Sequence, residues 1–496
     1  MSVTPPALAR PALSGPLSAV PDWGWLLLYF AAHVLGRTLV SPALELDEAE
    51  QALWTQQLQW GYGAQPPLYT WLQWAVFQLL GVSVFSLSLL KNTLLALAYA
   101  CVWWAGRTLL PGALAAAAAA SMLLLPQIGW EASRDLTHSV LLTTMSAATL
   151  AVVLALLRRP RPGLYLLAGV VVGLGLLSKY SYAGFLAVLL AALLTGRDTR
   201  ALLLNRWALV AAVLAAGLVL PHAWWLLQHW TLATAATADK LAGAAAMGRA
   251  EGMARGLWTL LLALLAFGGP WALAMALLFG RGALQAWARW WRPAGAPAPA
   301  GVQAQAQSWN VQALWRRYFA LLGLLFLAMV VFGEVARFKD RWMMPFLFLL
   351  PLAFFSCAPE LARHPGLVRL RRWLAVLAVL VLVLLTARVP WHALRERPDE
   401  LNQPVRELAQ ALRARGYAGT GAIVATDRTL AGALRLQFPA AQIEVGDGRT
   451  GLPSARPLLV VEQLQDTRAP VHDLALPYHY AGPAAAPARY RYALLR

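Results

Sequence analysis

The sequence predicts an all-α polytopic membrane protein that carries a small α/β domain at its carboxyl end. Hydrophobic residues make up 59% of the 496 residues and the mean hydropathy is +0.55, which is far too apolar for a soluble globule. About eleven apolar runs reach or approach the roughly 20 residues that a helix needs to cross a bilayer. Beyond residue 390 the composition becomes that of ordinary soluble protein. We therefore predict a membrane domain over residues 1–389 and a soluble domain over 390–496.

The candidate spans follow one another through the membrane domain, and several of them are short. The first run, which begins at Trp23, follows no convincing cleavage site, so we expect an uncleaved span. The candidate spans are residues 23–40, 85–106, 112–126, 136–157, 164–177, 182–194, 207–227, 256–280, 318–333, 343–358 and 373–387. Residues 68–80 form an ambiguous twelfth run.

The distribution of arginine predicts the orientation of the chain. The net charge is +18, but the cations collect in short loops between apolar runs, which is the positive-inside pattern and gives no indication of nucleic-acid binding. If residues 68–80 lie on the surface, the arginine-rich loops all share one side, which is then the cytoplasm. These loops hold Arg107, 158–161, 197–206, 281–317 and 363–372. The loops around residues 47, 135, 179, 229–255 and 337–341 then face the periplasm of a bacterial inner membrane.

An acidic cluster directly follows the first predicted span. Glu45, Asp47, Glu48 and Glu50 fall within six residues, and charge beside a membrane lies either at the water interface or in a polar cavity. A solvated loop is the simpler interpretation. Asp47 can cap a short helix over 48–60, and the two prolines that follow Gln65 favour extended backbone. We expect two juxtamembrane helices at about 47–80 that carry an acidic site.

Three further polar groups are predicted on the same side. Asp135 and His138 are three residues apart and would share a helix face, although Asp135 could simply be a cap. Lys179 lies between two short apolar runs, where it could snorkel to the interface or bind an anion. Arg337, Lys339 and Arg341 go against the positive-inside tendency, and arginine matches phosphate oxygens well. A lipid headgroup contact is the alternative for these cations.

Other candidate ligands give weaker signals. His222 and His229 flank a tryptophan-rich interface and could bind a metal, but single histidines there are usually just amphipathic. Cys101 and Cys357 both lie in apolar runs, which argues against a disulfide or a thiolate metal site. Residues 292–307 are rich in Pro, Ala, Gly and Gln, as in a flexible linker.

Carboxylates and cations on one membrane surface favour a displacement reaction. An acceptor hydroxyl could lose its proton to a carboxylate that acts as general base. Cations could then stabilise the negative charge that develops on a departing phosphate.

The soluble domain alternates helical and strand patterns. We predict helices over 403–415 and 429–436 and strands over 422–426, 442–445 and 457–462. Asp427 follows the first strand and is interpreted as a turn residue, since no glycine-rich phosphate loop accompanies it.

The ordered motifs of the first two hundred residues resemble the GT-C membrane glycosyltransferases, in particular the group of protein O-mannosyltransferases and lipid A aminoarabinose transferases. The motifs are Asp47-Glu48-Ala49, Gly61-Tyr62, Pro66-Pro67-Leu68-Tyr69, Arg134-Asp135 and residues 173–180, and residues 337–345 extend the likeness. The resemblance implies inverting transfer of a sugar from a polyprenyl phosphate, of the undecaprenyl type, to a periplasmic lipid, glycan or protein.

The resemblance also implies roles for individual residues. Asp47 would be the general base, with Glu48 beside it and Asp135 facing the same cavity. Lys179, Arg341, Arg337 and Tyr180 would hold the donor phosphate. Gln65, Tyr69, Arg134, His138 and Lys339 would contact donor or acceptor. The pattern leaves room for a divalent cation between the carboxylates and the phosphate without requiring one.

Two positions depart from the pattern of the aminoarabinose transferases, and two other functions are possible interpretations of the sequence. Glu50 and Gln65 stand where the aminoarabinose transferases have cations, so the resemblance does not imply aminoarabinose transfer to lipid A. A transporter or flippase of a lipid-linked sugar would grip phosphate with the same cations, but it would need polar residues through both membrane halves. A non-catalytic assembly protein would leave the acidic cluster unexplained.

Overall fold

The computed structural model describes residues 22–232, 248–290, 309–395, 399–446, 453–464, 474–480 and 487–495. Within these ranges the chain is mostly helical and ends in a small sheet, as the sequence predicts. The predicted linker at 292–307 lies outside the described residues, as does most of the loop at 229–255.

Sixteen α-helices precede the soluble domain in the described part of the chain. They are α1 (Asp22–Val40), α2 (Leu46–Trp54), α3 (Leu68–Leu80), α4 (Val84–Leu109), α5 (Gly112–Ala120), α6 (Ala132–Arg134), α7 (His138–Arg158), α8 (Pro162–Leu176), α9 (Tyr182–Leu194), α10 (Arg206–Gln228), α11 (Arg249–Phe279), α12 (Arg281–Trp290), α13 (Val311–Val331), α14 (Met344–Leu347), α15 (Leu350–Ser356) and α16 (Gly366–Leu394).

Six of these helices are long and apolar enough to cross a bilayer. They are α4, α7, α10, α11, α13 and α16. The segments Gly112–Leu124 and Gln127–Arg134 could form a seventh span that bends by 79° at Pro126. Shorter apolar helices cover Gly24–Val40, Pro162–Leu176 and Tyr182–Leu194. The membrane core forms where α4 packs against α1, α5 and α7, and α8 packs against α10.

The predicted span at 343–358 is not one continuous helix. It consists of α14 and α15, with Pro345 near the start of α14 and Pro351 near the start of α15. Proline has no backbone N–H and clashes with the preceding turn, so a helix ends and restarts around it. The predicted boundary at residue 390 falls inside α16, which continues to Leu394.

The short helix after α1 differs from its prediction in both bounds. It begins at Leu46 and its N-cap is Glu45, so the prediction that Asp47 is the cap is wrong. The side chain of Glu48 accepts a hydrogen bond from the Glu45 N–H at 3.2 Å, and the Glu45 side chain accepts one from the Glu48 N–H in return. This capping box fixes the start of the helix. The helix ends at Trp54 and not at residue 60.

The helix α3 does not behave as a span. Its 13 residues extend about 20 Å, and unlike α8 it belongs neither to the long nor to the shorter apolar helices that could enter a bilayer. It ends at Gly81, whose φ of +78° is a backbone conformation that favours glycine. This is in keeping with the prediction that residues 68–80 lie on the surface.

In the region that the sequence predicts to be a soluble domain, the described residues form a five-stranded sheet and two α-helices. Its elements are α17 (Val405–Ala414), β1 (Ala422–Ala425), α18 (Arg428–Gln437), β2 (Gln442–Val445), β3 (Leu458–Leu464), β4 (Leu474–Leu476) and β5 (Ala488–Leu495). The strand order is β2-β1-β3-β5-β4, in which β2, β1 and β3 are parallel and β5 is antiparallel to both neighbours. The sequence predicts the first three strands and both helices but misses β4 and β5.

The soluble domain packs directly on the acidic segment. The helix α18 lies against α2, and Gly432 faces Ala49 at the contact. An ion pair of 2.5 Å joins Arg428 at the start of α18 to Glu50. These contacts hold α2 between the membrane helices and the sheet.

Candidate active site

Asp47 and Asp135 meet where α2 faces the irregular segment before α7. The backbone N–H of Asp47 donates to Asp135 Oδ1 at 3.2 Å. In return, Asp47 Oδ2 accepts from the N–H of Thr137 at 2.9 Å and from its hydroxyl at 3.3 Å. These bonds orient the Asp47 carboxylate. Among the described residues no hydrogen bond reaches its other oxygen, Oδ1, and the side chain is only half-buried.

The backbone around Asp135 departs from the predicted helix. The helix α6 ends at Arg134 and α7 begins at His138, so Asp135 and His138 do not share a helix face and that prediction is wrong. The break frees the N–H of Thr137, which would otherwise lie within a helix, to bind Asp47. Asp135 is not the cap of α7, because Thr137 occupies that position.

The Asp135 carboxyl holds its proton more tightly than an ordinary aspartate. Burial, followed by the negative charges of Asp47 and Glu45, raises its pKa to about 7, although Lys91 opposes the shift. Two carboxyl groups in different environments therefore share one site, and such a pair can divide proton-accepting and proton-holding roles.

Glu48 is enclosed by cations from two membrane helices. Arg37 of α1 binds both carboxylate oxygens at 3.1 and 2.5 Å, and Lys91 of α4 lies 3.5 Å from one of them. Burial alone would raise the pKa of Glu48, but the two cations and the hydrogen bonds from Arg37 and Glu45 outweigh it and lower the pKa to about 2. With 1% exposure, Glu48 has no open face toward a substrate.

Lys91 also links this ion pair to the second acidic segment. Its ammonium donates to the carbonyl oxygen of Arg134 at 2.9 Å. The residue is 1% exposed, and a buried cation of this kind must be paired. Lys91 thus ties the helix that carries Asp47 to the segment that carries Asp135.

Glu45 connects the site to the end of the membrane domain. It forms an ion pair with Arg388 of α16, which also lies 3.5 Å from Asp399. The guanidinium of Arg134 approaches Glu45 at 3.8 Å. The predicted contact residue Arg134 therefore has an acidic partner within the protein.

Lys179 lies on the same end of the bundle as the two aspartates. Its ammonium donates to the hydroxyl of Ser139 at 2.8 Å, and Ser139 is two residues after Thr137. The neighbouring Tyr180 stacks on His222, and its buried hydroxyl has no hydrogen-bond partner in the described part of the chain. Tyr182 points elsewhere, since its hydroxyl lies 2.6 Å from that of Thr149 inside the bundle.

Buried polar side chains support His138 beside these groups. Gln51 of α2 accepts from Thr70 at 2.9 Å, so its amide nitrogen is left to donate to His138 Nε2 at 3.1 Å. Tyr69 packs on the His138 ring at 5.4 Å. Both Tyr69 and His138 are buried, at 1% and 4% exposure.

Among the described residues, no hydrogen bond or ion pair joins Gln65, Arg337 or Arg341 to the two aspartates. Gln65 pairs through its backbone with Tyr62, and its Oε1 atom is buried without a partner. Asp340 accepts from Gln127 at 2.8 Å and so attaches the segment to the bent helix before α6. Arg337 and Arg341 are exposed, and Lys339 is half-buried.

The two candidate histidine ligands form an aromatic stack. His222 Nδ1 lies 2.6 Å from the carbonyl oxygen of Trp60, and Trp225 stacks between His222 and His229. Among the described residues no group of three or more His, Cys, Asp or Glu side chains could hold a metal ion. Cys101 and Cys357 are free thiols.

Arg37 and Lys91, which pair with Glu48, are not among the site residues that the sequence predicts. Both lie inside apolar runs that were taken as spans. A charge within a span is rare and normally has a partner, so these positions carried a usable signal. Thr137 and Ser139 gave no such signal, because a hydroxyl near a helix start is common.

Comparison with known proteins identifies the fold and the relatives. A family model described as dolichyl-phosphate-mannose-protein mannosyltransferase matches residues 64–225. The lipopolysaccharide core galacturonosyltransferase RgtB of Rhizobium johnstonii is 35% identical over 454 residues, which cover 89% of this chain and 87% of the relative. RgtA of the same organism is 33% identical over 469 residues, which cover 92% and 89%.

A solved structure has the same fold at low sequence identity. ArnT from Cupriavidus metallidurans bound to undecaprenyl phosphate superposes with a TM-score of 0.61 at 13% identity, covering 95% of this chain and 98% of ArnT. The resemblance predicted from the motifs is thereby confirmed. The chain belongs to the GT-C membrane glycosyltransferases, in the family that includes the lipopolysaccharide core galacturonosyltransferases.

Proposed function

We propose that the protein transfers a sugar from a polyprenyl-phosphate donor to a glycan hydroxyl at the periplasmic face of the inner membrane, with Asp47 as general base. One observation carries the proposal. The Asp47 carboxylate is oriented by Thr137 through one oxygen, lies beside a second carboxyl with a raised pKa, and keeps its other oxygen open.

The chemistry follows from this arrangement. The acceptor hydroxyl gives its proton to Asp47 Oδ1 as its oxygen bonds to the anomeric carbon of the donor sugar. The bond between that carbon and the phosphate oxygen breaks on the opposite face, so the configuration inverts and polyprenyl phosphate departs. Burial and the neighbouring carboxylates raise the pKa of Asp135, so it keeps its proton more readily than an ordinary aspartate and limits the negative charge beside the base.

Lys179 is suited to hold the donor phosphate. It donates to Ser139, which is two residues after Thr137, the residue that binds Asp47. A lysine ammonium binds phosphate as a point charge. Arg337 and Arg341 are exposed, and in this proposal they bind the phosphate of a donor that enters from the membrane. Tyr180, with its buried free hydroxyl, adds a hydrogen bond on the same side.

The relatives favour a uronic acid as the transferred sugar and a lipopolysaccharide core glycan as the acceptor. RgtA and RgtB are named as galacturonosyltransferases of this core. ArnT, which shares the fold, binds undecaprenyl phosphate, and this supports a lipid-linked donor here. Glu50 and Gln65 replace two cations of the aminoarabinose transferases, in keeping with a different sugar or acceptor.

Glu48 is assigned a positioning role in this proposal. Arg37 and Lys91 occupy its carboxylate, so it cannot accept a substrate proton without losing a buried ion pair. Its effect on the reaction is to fix α2, and with it Asp47, against α1 and α4.

The first test replaces the base. Asp47→Asn keeps the shape of the side chain and the bonds from Thr137 but cannot take a proton. We expect a loss of about 10²–10⁴-fold in kcat, measured as transfer of radiolabelled galacturonic acid from a polyprenyl-phosphate donor to lipopolysaccharide. Glu50→Gln is the matched control, since Glu50 is three residues away and pairs with Arg428 of the soluble domain.

The control should retain transfer within about twofold, because Arg428 is exposed to solvent and an ion pair with such a partner contributes little. Both variants should show the elution profile and melting temperature of the wild type in detergent. Near-normal turnover by a folded Asp47→Asn variant would remove Asp47 as the base.

A further inference from the structure

A cleft of about 730 Å³ separates the soluble domain from the chain that follows α1. One wall is formed by Ala43 and Leu44, which directly precede the acidic cluster. The opposite wall is formed by the carboxyl ends of two parallel strands. These ends contribute Thr426 and Asp427 after β1 and Glu462, Gln463 and Leu464 of β3. The cleft is separate from the Asp47–Asp135 contact, since neither aspartate lines it.

The topology of the sheet places this cleft at a typical ligand position. From β1 the chain passes through α18 to β2 on one side of β1, whereas β3 lies on the other side. The connections therefore diverge between β1 and β3, and their carboxyl ends leave a crevice at that point. In open α/β sheets ligands bind in this crevice. The volume lies within the range of small-ligand sites, roughly 300–1,000 Å³.

The lining of the cleft suits a hydroxyl-rich, uncharged ligand. It offers the amides of Gln403 and Gln463, the hydroxyls of Thr426 and Thr429, and three carboxylates, those of Glu400, Asp427 and Glu462. Arg491 is the cation among the lining residues, and it donates to Glu462 at 3.4 Å. Because the carboxylates outnumber the cations three to one, in a chain whose net charge is +18, the cleft disfavours phosphate or carboxylate groups.

The cleft is also within reach of the reaction. Leu44 is three residues before Asp47, so their Cα atoms are at most about 11 Å apart. A ligand seated against Leu44 can therefore extend a neighbouring unit to Asp47 while it remains in the cleft. The contact between α18 and α2 fixes this relation, because it joins the soluble domain to the helix that bears Asp47.

We propose that the cleft is a subsite for the acceptor glycan, which binds an uncharged sugar unit next to the one that is glycosylated. The inference rests on the proposed function, and it adds a substrate-recognition role for the soluble domain. The amides, hydroxyls and carboxylates would accept and donate hydrogen bonds to the hydroxyls of that sugar. Selection of the acceptor then depends on residues more than 350 positions after Asp47 in the chain.

The test removes hydrogen bonds from the cleft without changing its shape or its backbone. We combine Gln463→Leu with Thr429→Val. The control combines Gln442→Leu with Thr420→Val, which are exposed positions of the same domain outside the cleft. Losing hydrogen bonds to a bound sugar should raise the KM for the deacylated lipopolysaccharide core oligosaccharide of Rhizobium johnstonii about tenfold. The KM for the donor and kcat at saturating acceptor should stay within about twofold.

A second variant identifies the class of ligand. Glu462→Gln removes a charge but keeps a hydrogen-bonding group, so binding of an uncharged sugar should change by less than about threefold. A tenfold loss in this variant, or a requirement for added Ca²⁺, would show that the cleft binds a cation and would overturn the proposal. An unchanged acceptor KM in the double variant, with its melting temperature intact, would also overturn it.

Direct binding separates this proposal from the proposed function. Binding of the same oligosaccharide to the Asp47→Asn protein is measured by calorimetry without donor, with and without the two cleft substitutions. Loss of binding only in the cleft variant supports the subsite even if Asp47 proves not to be the base. Equal binding by both proteins removes the subsite and leaves the role of Asp47 untouched.

Discussion

Asp47 and Asp135 lie 88 residues apart in the sequence and in the folded chain share a hydrogen bond. Thr137 adds two donors to Asp47, whereas Asp135 is surrounded by other carboxylates. The same residue type is thus placed in two environments within one site. This difference fits a base that must be ionised beside a carboxyl that retains a proton.

The raised pKa of Asp135 predicts a pH dependence of stability. The unfolded chain releases this proton near pH 3.8, whereas the folded protein keeps it up to about pH 7. Between these values the folded state binds more protons, so this carboxyl destabilises it as pH rises. Asp135→Asn removes the effect and keeps an oxygen that can accept from the Asp47 N–H.

Thermal unfolding in detergent from pH 4 to pH 8 checks this prediction. The melting temperatures of wild type and Asp135→Asn should be similar near pH 4, and the variant should be the more stable protein at pH 8. A constant difference across the range would mean that Asp135 is ionised throughout. Asp198→Asn serves as a control carboxylate, because Asp198 pairs with Arg317 elsewhere in the molecule.

For single residues, the sequence indicates which side chains belong to the site better than it indicates how they are arranged. The cluster around Asp47, the Asp135 segment and Lys179 are all recognisable, because charge is scarce in this chain. The prediction that Asp47 caps α2 is wrong because three neighbouring acidic residues can serve as the N-cap. The hydrogen bond between the Glu45 N–H and the Glu48 side chain selects Glu45. The same Glu48 side chain also pairs with Arg37 and Lys91 of other helices, and these contacts are not visible in the local sequence.

Among the elements, α2 and α18 depend on a close approach at Gly432. A Cβ atom at this position would lie 2.5 Å from the Cα of Ala49 and 2.6 Å from its Cβ. Such overlap requires one of the two helices to move. The small residues on both helices therefore determine how near the soluble domain comes to the acidic segment.

Gly432→Ala should destabilise the protein, although alanine favours a helix by about 1 kcal/mol over glycine. Gly217→Ala in α10 is the control, because nothing lies within 4 Å of its added Cβ. We expect a lower melting temperature and reduced transfer for Gly432→Ala, and neither change for Gly217→Ala. A Gly432→Ala protein as stable as the control would show that the helices do not need this contact.

The elements themselves were largely predictable, and the exceptions have physical reasons. Long apolar runs such as α4 and α7 are defined by their composition, β1 by a short apolar run, and β2 by the alternation of polar and apolar residues. The strand β4 has three residues, too few for a pattern. In β5 buried Tyr490 alternates with arginines, and the alternation is stabilised by pairing with β3, which a single strand does not reveal.

At the scale of the molecule, the two ends of α8 should lie on opposite sides of the membrane. Its 15 residues span about 22 Å, with Arg159 exposed before its start and Ser181 exposed shortly after its end. In a Cys101→Ser, Cys357→Ser background, Ser181→Cys should react with a membrane-impermeant maleimide added to intact spheroplasts. Arg159→Cys should react only after the membrane is permeabilised.

Equal labelling of both positions in intact spheroplasts would contradict the predicted orientation of the whole chain. Transfer activity of each cysteine variant verifies that the labelled protein is folded. The charge pattern alone predicts this orientation, because arginine-rich loops are counted without knowledge of packing. The seating of the soluble domain on α2 was not predictable, since it depends on a contact between residues that are nearly 400 positions apart.

The convergence of Arg37 and Lys91 on Glu48 has a consequence for biogenesis. Each cation is carried into the membrane by a different helix, and neither can remain unpaired there without a large cost. The α1 and α4 helices are therefore expected to reach their final packing only when α2 has docked on both of them. In a chain that has not reached this stage, Asp47 is not oriented. Transfer activity is therefore expected only after these three helices have assembled correctly.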